Sequence, residues 1–176
     1  IKGLIINFIH HFWPELLDLG FLSGMITPIV KVTKGTTVRE FYTENDYNVW
    51  KQNKYTEEIK KYKIKYYKGL GTSTAQEAKL YFKQLDNNTV DYVSTESTNN
   101  DINLAFKKDQ ADSRKEWIAN GIQNNESLSY NGKRKTITYN EFINKDLIWF
   151  SIADLKRSIP SAIDGFKPSQ RKVIYA

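Results

Sequence analysis

The chain has 176 residues, of which 40% are hydrophobic and 14% aromatic, enough to bury a core in one or two domains. It has no cysteine, which excludes a disulfide framework and any thiolate metal site. No run of 18 apolar residues occurs, which excludes an ordinary membrane-spanning helix and leaves a soluble intracellular protein as the expectation. The net charge of +6 is unevenly spread. Residues 51–83 hold nine lysines against three glutamates, residues 84–105 four acids and no base, and residues 150–176 five bases against two acids. Two basic zones separated by an acidic one suit directed contacts with a polyanion, whereas lysines spread evenly over wet faces would suit simple solvation.

In chain order, Leu4, Ile5, Phe8, Ile9, Phe12 and Trp13 fall at helical spacing, and Pro14 opens a further turn; this predicts a core helix. His10 and His11 are adjacent, so they do not share one helix face and are read as packed or capping residues, not as a metal pair. The β-branched run from Ile26 to Thr33 predicts a strand, Lys34-Gly35-Thr36 a turn, and Val38 to Thr43 the returning strand. Glu44-Asn45-Asp46 opens a short helix through Trp50.

Ile59 to Tyr67 alternates lysines with Ile and Tyr, the pattern of a strand with one wet and one buried face. It runs into Lys68-Gly69-Leu70-Gly71-Thr72-Ser73-Thr74, where two glycines bracket Leu70 and three hydroxyls offer an N-cap. Gln76 or Glu77 is placed to complete a capping box for a helix from Thr74 to about Leu85. A strand, a glycine turn and a helix N-terminus gather backbone N–H donors beside Lys68, which suits a phosphate oxygen. Glycines at a strand-to-helix turn are also ordinary turn chemistry.

Val90 to Val93 predicts a short strand, residues 94–100 a polar loop, and Asp101 to Asn120 one amphipathic helix carrying Arg114 and Lys115 on its charged face. Gly121 to Lys135, rich in Asn, Ser and Gly, reads as a flexible linker and the best domain boundary. Thr138 or Asn140 caps a helix running to about Arg157, Ile159-Pro160 stops it, Asp164-Gly165 turns, and Pro168 opens a last helix bearing Gln170, Arg171 and Lys172. Arg157, Lys167, Arg171 and Lys172 thereby gather around two helix ends, a set suited to phosphates. Strands alternating with helices predict an α/β layer fold.

The string Lys65-Tyr66-Tyr67-Lys68-Gly69-Leu70-Gly71-Thr72-Ser73-Thr74, followed by Gln76-Glu77-Ala78-Lys79, closely resembles a signature of eukaryotic-type DNA topoisomerase II in its Toprim region. The opening residues from Ile1 to His11 are similar to the segment that follows that family's magnesium-binding acidic motif. The stretch from Arg157 to Lys172 is similar to the start of its winged-helix breakage–reunion domain. Departures lie at Ile152-Ala153, at Leu155-Lys156 and at Ser169, which stands where the family has a glycine.

The resemblance implies the C-terminal part of a Toprim sheet flanked by helices over residues 1–120, a linker over 121–137, and the mostly helical beginning of a winged-helix domain over 138–176. It further implies part of an ATP-dependent type II topoisomerase that passes one duplex through a transient double-strand break. The DNA-binding residues it implies are Lys68, Arg114, Lys115, Arg157, Lys167, Arg171 and Lys172. No catalytic residue and no metal ligand is expected in the chain itself, since the nucleophilic tyrosine is expected after Ala176 and the acidic motif before Ile1. Magnesium and ATP belong to the full-length enzyme, which is expected to be a homodimer acting on double-stranded DNA in the nucleus, or at a replication site of a large DNA virus. The competing readings are a non-catalytic Toprim-derived DNA-binding or scaffold module and another Toprim enzyme such as a nuclease or primase; the Arg157–Lys172 string speaks against the last.

Overall fold

The structure, a computed structural model, describes residues 1–67, 72–124, 126–128 and 136–176. The fold is mixed α/β as expected, but the first three strands follow one another directly and the strands divide into two small sheets. The chain opens with α1 (Lys2–Phe12) and α2 (Glu15–Asp18), then enters β1 (Ser23–Met25). β1 pairs antiparallel with β5 (Thr89–Val93), which pairs parallel with β6 (Thr136–Thr138), giving the order β1-β5-β6. The second sheet, β3-β2-β4, is antiparallel throughout and lies between β1 and β5 in sequence: β2 (Val30–Lys34), β3 (Thr37–Phe41) and β4 (Lys63–Tyr66).

Residues 28–84 therefore form an inserted module whose chain leaves and returns side by side. Met25 stands opposite Thr89, and the Ile26 N–H donates to the Asn88 carbonyl at 2.7 Å. The strand expected from Ile26 starts only at Val30, because Pro28, which has no N–H to donate, sits fully buried at the crossing. β1 went unpredicted; Gly24 belongs there because a Cβ would stand 3.0 Å from the Tyr92 ring.

Each part has its own core. In the module, Val30, Val32 and Phe41 on one sheet face pack against Tyr47 and Trp50 of α3 (Glu44–Gln52). The Phe41 ring lies 5.5 Å from Tyr47 and 5.4 Å from Trp50. Thr43 caps α3 by accepting from the Asp46 N–H at 3.1 Å, and Gly35 turns the β2–β3 hairpin at φ 58°. A single turn, α4 (Thr56–Ile59), leads into β4, and α5 (Ala75–Lys83) follows.

In the base, Ile6, Leu17, Val90, Tyr92, Ile102, Ile137, Tyr139 and Phe142 form one cluster. α1, expected as a core helix, buries only Gly3 and Ile6, while Leu4, Phe8 and Phe12 are more than half exposed.

The single helix expected over 101–120 is two helices, α6 (Thr98–Phe106) and α7 (Ala111–Asn124), separated by a 3-10 turn at Lys108–Gln110. The break has a cause. Lys107 is extended, and Arg114 Nη1 donates to the carbonyls of Leu104 (3.1 Å) and Lys107 (2.6 Å), closing the end of α6.

Residues 121–124, expected to begin a linker, continue α7. Gly121 lets that helix lie directly on Ile148, whose Cδ1 would be 2.0 Å from an added Cβ. Leu128 and Ile137 are buried in the same core as Val90, while 125 and 129–135 of the expected linker lie outside the described residues. α8 (Tyr139–Phe142), a π-helical turn (Ile143–Leu147) and α9 (Ile148–Ser158) form one continuous helical run, as the sequence predicts, and α10 (Pro168–Tyr175) ends the chain. A cleft of about 590 Å³ separates the first turns of α3 from α9.

Candidate nucleic-acid interface

The glycine turn is approached from two well-described flanks. Lys68, Gly69, Leu70 and Gly71 lie outside the described residues, so the structure assigns Lys68 no position. The flanks converge on one carboxylate. Thr74 and Glu77 form the predicted capping box: the Glu77 N–H donates to Thr74 Oγ1 at 3.2 Å, and the Thr74 N–H donates to Glu77 Oε2 at 2.8 Å. From the strand side, Lys65 Nζ reaches Glu77 Oε2 at 2.9 Å and the Tyr67 hydroxyl donates to Glu77 Oε1. Lys31 Nζ lies 3.8 Å from the same carboxylate.

These donors hold the Glu77 carboxyl at about 2, well below its ordinary value; the Tyr67 hydroxyl is the largest cause, with the Thr74 N–H and Lys65 adding to it against partial burial. Lys31 carries the network across the sheet. It pairs with Glu40 at 2.8 Å and stands 5.6 Å and 5.1 Å from the ring centroids of Tyr67 and Tyr81. Burial, the largest single influence, would lower the Lys31 ammonium, but Glu40 and Tyr81 together outweigh it and hold Lys31 charged above the ordinary lysine range. Tyr42 donates to Glu40 at 3.1 Å, and its hydroxyl is pushed up to about 12 by burial and by that carboxylate. Sequence reading missed Lys31, Glu40 and Tyr42. The available signal was Val30-Lys31-Val32, where an alternating strand turns a cation away from the core.

The second group stands on α7. The Arg114 guanidinium closes the end of α6 through Nη1, and among the described residues its Nε and Nη2 edge has no hydrogen-bond partner. Lys115 is 78% exposed and forms an i,i+3 pair with Asp112 at 2.6 Å, which draws the Asp112 carboxyl below its ordinary value.

The third group surrounds the turn between α9 and α10. Arg157 pairs with Asp154 within α9. Arg171 grips Asp164 in a fork, Nε to Oδ2 at 3.0 Å and Nη2 to Oδ1 at 2.7 Å, and holds that carboxyl below its ordinary value. The Phe166 N–H also donates to Asp164 at 3.1 Å. The Gly165 N–H donates to the Ser161 carbonyl at 2.8 Å, and the Ser161 N–H to the Phe166 carbonyl at 3.0 Å. Gly165, at φ 71°, makes the bend possible. Lys167 occupies the N-cap of α10, with its N–H donating to Gln170 Oε1 at 2.9 Å and Pro168 at the first helical position.

The fold thus puts Arg157 in the last turn of α9, Lys167 at the head of α10 and Arg171 and Lys172 within α10, on either side of a turn tied by Asp164, and puts Arg114 and Lys115 on the helix that packs against α9. Among the described residues, Lys167 and Lys172 have no acidic partner. No group of three His, Asp or Glu among the described residues is arranged to hold a metal ion, and His10 instead bonds the side chain of Asn99 at 2.9 Å.

Residues 25–155 match the C-terminal associated domain of TOPRIM, and the chain belongs to that family. Over 99% of its length it is 50% identical to DNA topoisomerase 2 of Bombyx mori and 49% identical to DNA topoisomerase 2-beta of Homo sapiens. It is also 47% identical, over its whole length, to the mitochondrial DNA topoisomerase 2 of Dictyostelium discoideum. It spans only 12%, 11% and 14% of those relatives. A crystal structure of the Plasmodium falciparum topoisomerase II DNA-binding, cleavage and re-ligation domain superimposes with a TM-score of 0.82 at 46% identity, covering 99% of this chain and 23% of that one.

Proposed function

We propose that this chain is a piece of an ATP-dependent type II DNA topoisomerase, supporting the cleavage site and holding the DNA backbone while one duplex passes through a transient break in another. The likeness to a topoisomerase II DNA-binding, cleavage and re-ligation domain, across nearly the whole chain at 46% identity, is the observation that carries this reading.

Within it, the turn at 159–167 presents Lys167 to phosphate oxygens, with Lys172 five residues further along α10. Arg157 and Arg171 set the local geometry through Asp154 and Asp164 and complete the positive edge. Lys115 and the free edge of Arg114 add contacts from α7, and Lys68 contributes from the glycine turn. Such contacts position a duplex without reading its sequence, and they weaken steeply with salt. We assign residues 1–120 to the end of the Toprim region and residues 138–176 to the beginning of the breakage–reunion region, with the two joined through one core in which Tyr139 and Phe142 pack with Ile6 and Val90 and with the family match running on to residue 155. The nucleophilic tyrosine, the magnesium-binding acids and the ATPase belong to other parts of the full-length polypeptide. That polypeptide acts as a homodimer in the nucleus, although two of the relatives are named as mitochondrial.

The test is DNA affinity of the full-length protein at low salt, with Lys167 and Arg114 replaced by Ala. Weaker binding with a shallower salt dependence is expected; unchanged affinity would overturn the assignment.

A further inference from the structure

The inserted module has a charge that the base does not share. Residues 28–84 hold twelve of the 26 Lys and Arg and six of the 20 Asp and Glu, a balance of +6 that equals the whole chain's; the remaining residues carry fourteen of each sign. Topology concentrates this surplus. β2 runs outward from the crossing at Ile26 and Asn88 and ends at Lys34, and Thr33 lies opposite Lys63 where β4 begins its return. α3 starts beside the cleft and ends outward at Gln52. The far tip therefore carries Lys34, Lys51, Lys54, Lys60, Lys61 and Lys63, against Glu57 and Glu58 alone.

The tip's side chains crowd together. Lys34 Nζ and Lys54 Nζ stand 5.2 Å and 5.7 Å from the Tyr62 ring centroid, placing two like charges on one aromatic ring. Glu58 pairs with Lys54 at 2.5 Å, and Lys34 and Lys61 both act on that same carboxylate. Glu57 is taken by Lys60 at 2.7 Å. Lys34, Lys51, Lys61 and Lys63 remain exposed and without an ion pair among the described residues.

A merely solvated surface would balance its signs, as the residues outside the module do in total. Here cations gather against their own repulsion at a projecting end, which a fixed array of anions relieves. Ammonium groups on flexible stems, with no arginine fork and no enclosing pocket, suit regularly spaced phosphates as point charges better than individual carboxylates.

We propose that this lysine-bearing tip is a second contact for the phosphate backbone of double-stranded DNA, separate from the turn at 159–172. The inference rests on DNA being the partner, as argued above.

The test uses the full-length protein with Lys34, Lys51, Lys61 and Lys63 all changed to Gln, alongside the four Lys→Arg changes and a separate Lys167→Ala variant. Binding to a linear duplex is followed against salt. Each neutralised phosphate contact contributes about 0.9 to the slope of log affinity against log salt, so the Gln variant should lose about 3 to 4 from that slope, with the Arg variant retaining it. Thermal unfolding matching wild type assigns the loss to binding. If Lys167→Ala flattens the slope and the Gln variant does not, the tip inference fails while the DNA reading stands; if neither flattens it, the DNA reading itself fails. If the Gln variant keeps its duplex binding but loses binding to polyglutamate, the tip serves an acidic protein segment and the inference is overturned.

Discussion

Replacing Glu77 by Gln removes the charge and one of the two acceptor oxygens, leaving an acceptor for Thr74 while turning an NH2 toward Tyr67, so it reports what the carboxylate does for the flanks of the glycine turn. The carboxyl sits at about 2, against an ordinary 4.5. Each unit of such a shift corresponds to about 1.4 kcal/mol, giving about 3 kcal/mol in full. The side chain is still 19% exposed, and solvent screening reduces the expected contribution to about 1–2 kcal/mol. The sign follows from the lowered value: the stabilisation is fully present above about pH 4.5 and disappears as pH falls toward 2. Glu77→Gln should therefore melt about 3–6 °C below wild type at pH 7, and the two curves should converge on acidification. Urea or thermal unfolding across that range is the assay. A variant as stable as wild type at neutral pH, or a gap that does not narrow in acid, would refute the reasoning.

Arg114 and Lys115 should separate cleanly. Arg114→Ala strips donors from two carbonyls at the end of α6 and should lower stability by about 1–3 kcal/mol, measured by urea unfolding. Lys115→Ala should leave the melting temperature unchanged while weakening duplex binding, because its pair with Asp112 is on the surface. Gly121→Ala gains helix propensity of about 1 kcal/mol but drives a methyl into Ile148, which is buried, at about 1–3 kcal/mol. Adding Ile148→Val removes the obstructing Cδ1. A double-mutant cycle should therefore show coupling of about 1 kcal/mol in favour of the pair, whereas simple additivity would refute the close contact.

The sequence was most informative where local chemistry decides structure. The Thr74–Glu77 capping box, the Gly35 turn and Pro168 at the head of α10 all follow from residues within four positions of one another. It was least informative where distant residues decide. The break between α6 and α7 depends on Arg114 reaching back ten residues to Leu104. β1 is three residues long and is set by its pairing with β5 about 65 residues on, where Gly24 leaves room for the Tyr92 ring. Gly121 looks like a linker residue until Ile148 is placed against it. Basic candidates were visible individually, but not the fork that ties Arg171 to Asp164, nor the Lys31–Glu40–Glu77 network, whose members are far apart in sequence. The charge surplus between Lys51 and Lys83 was also visible; its concentration at one end of an inserted module required the register of β2 against β4.

The most direct test of the central claim is decatenation and relaxation of DNA by the full-length protein with ATP and magnesium, beside a Lys68→Ala variant. The account predicts ATP-dependent strand passage by the wild type and a marked loss in the variant with folding retained. No strand passage by the wild type would contradict it and indicate a chain that keeps the fold without the chemistry.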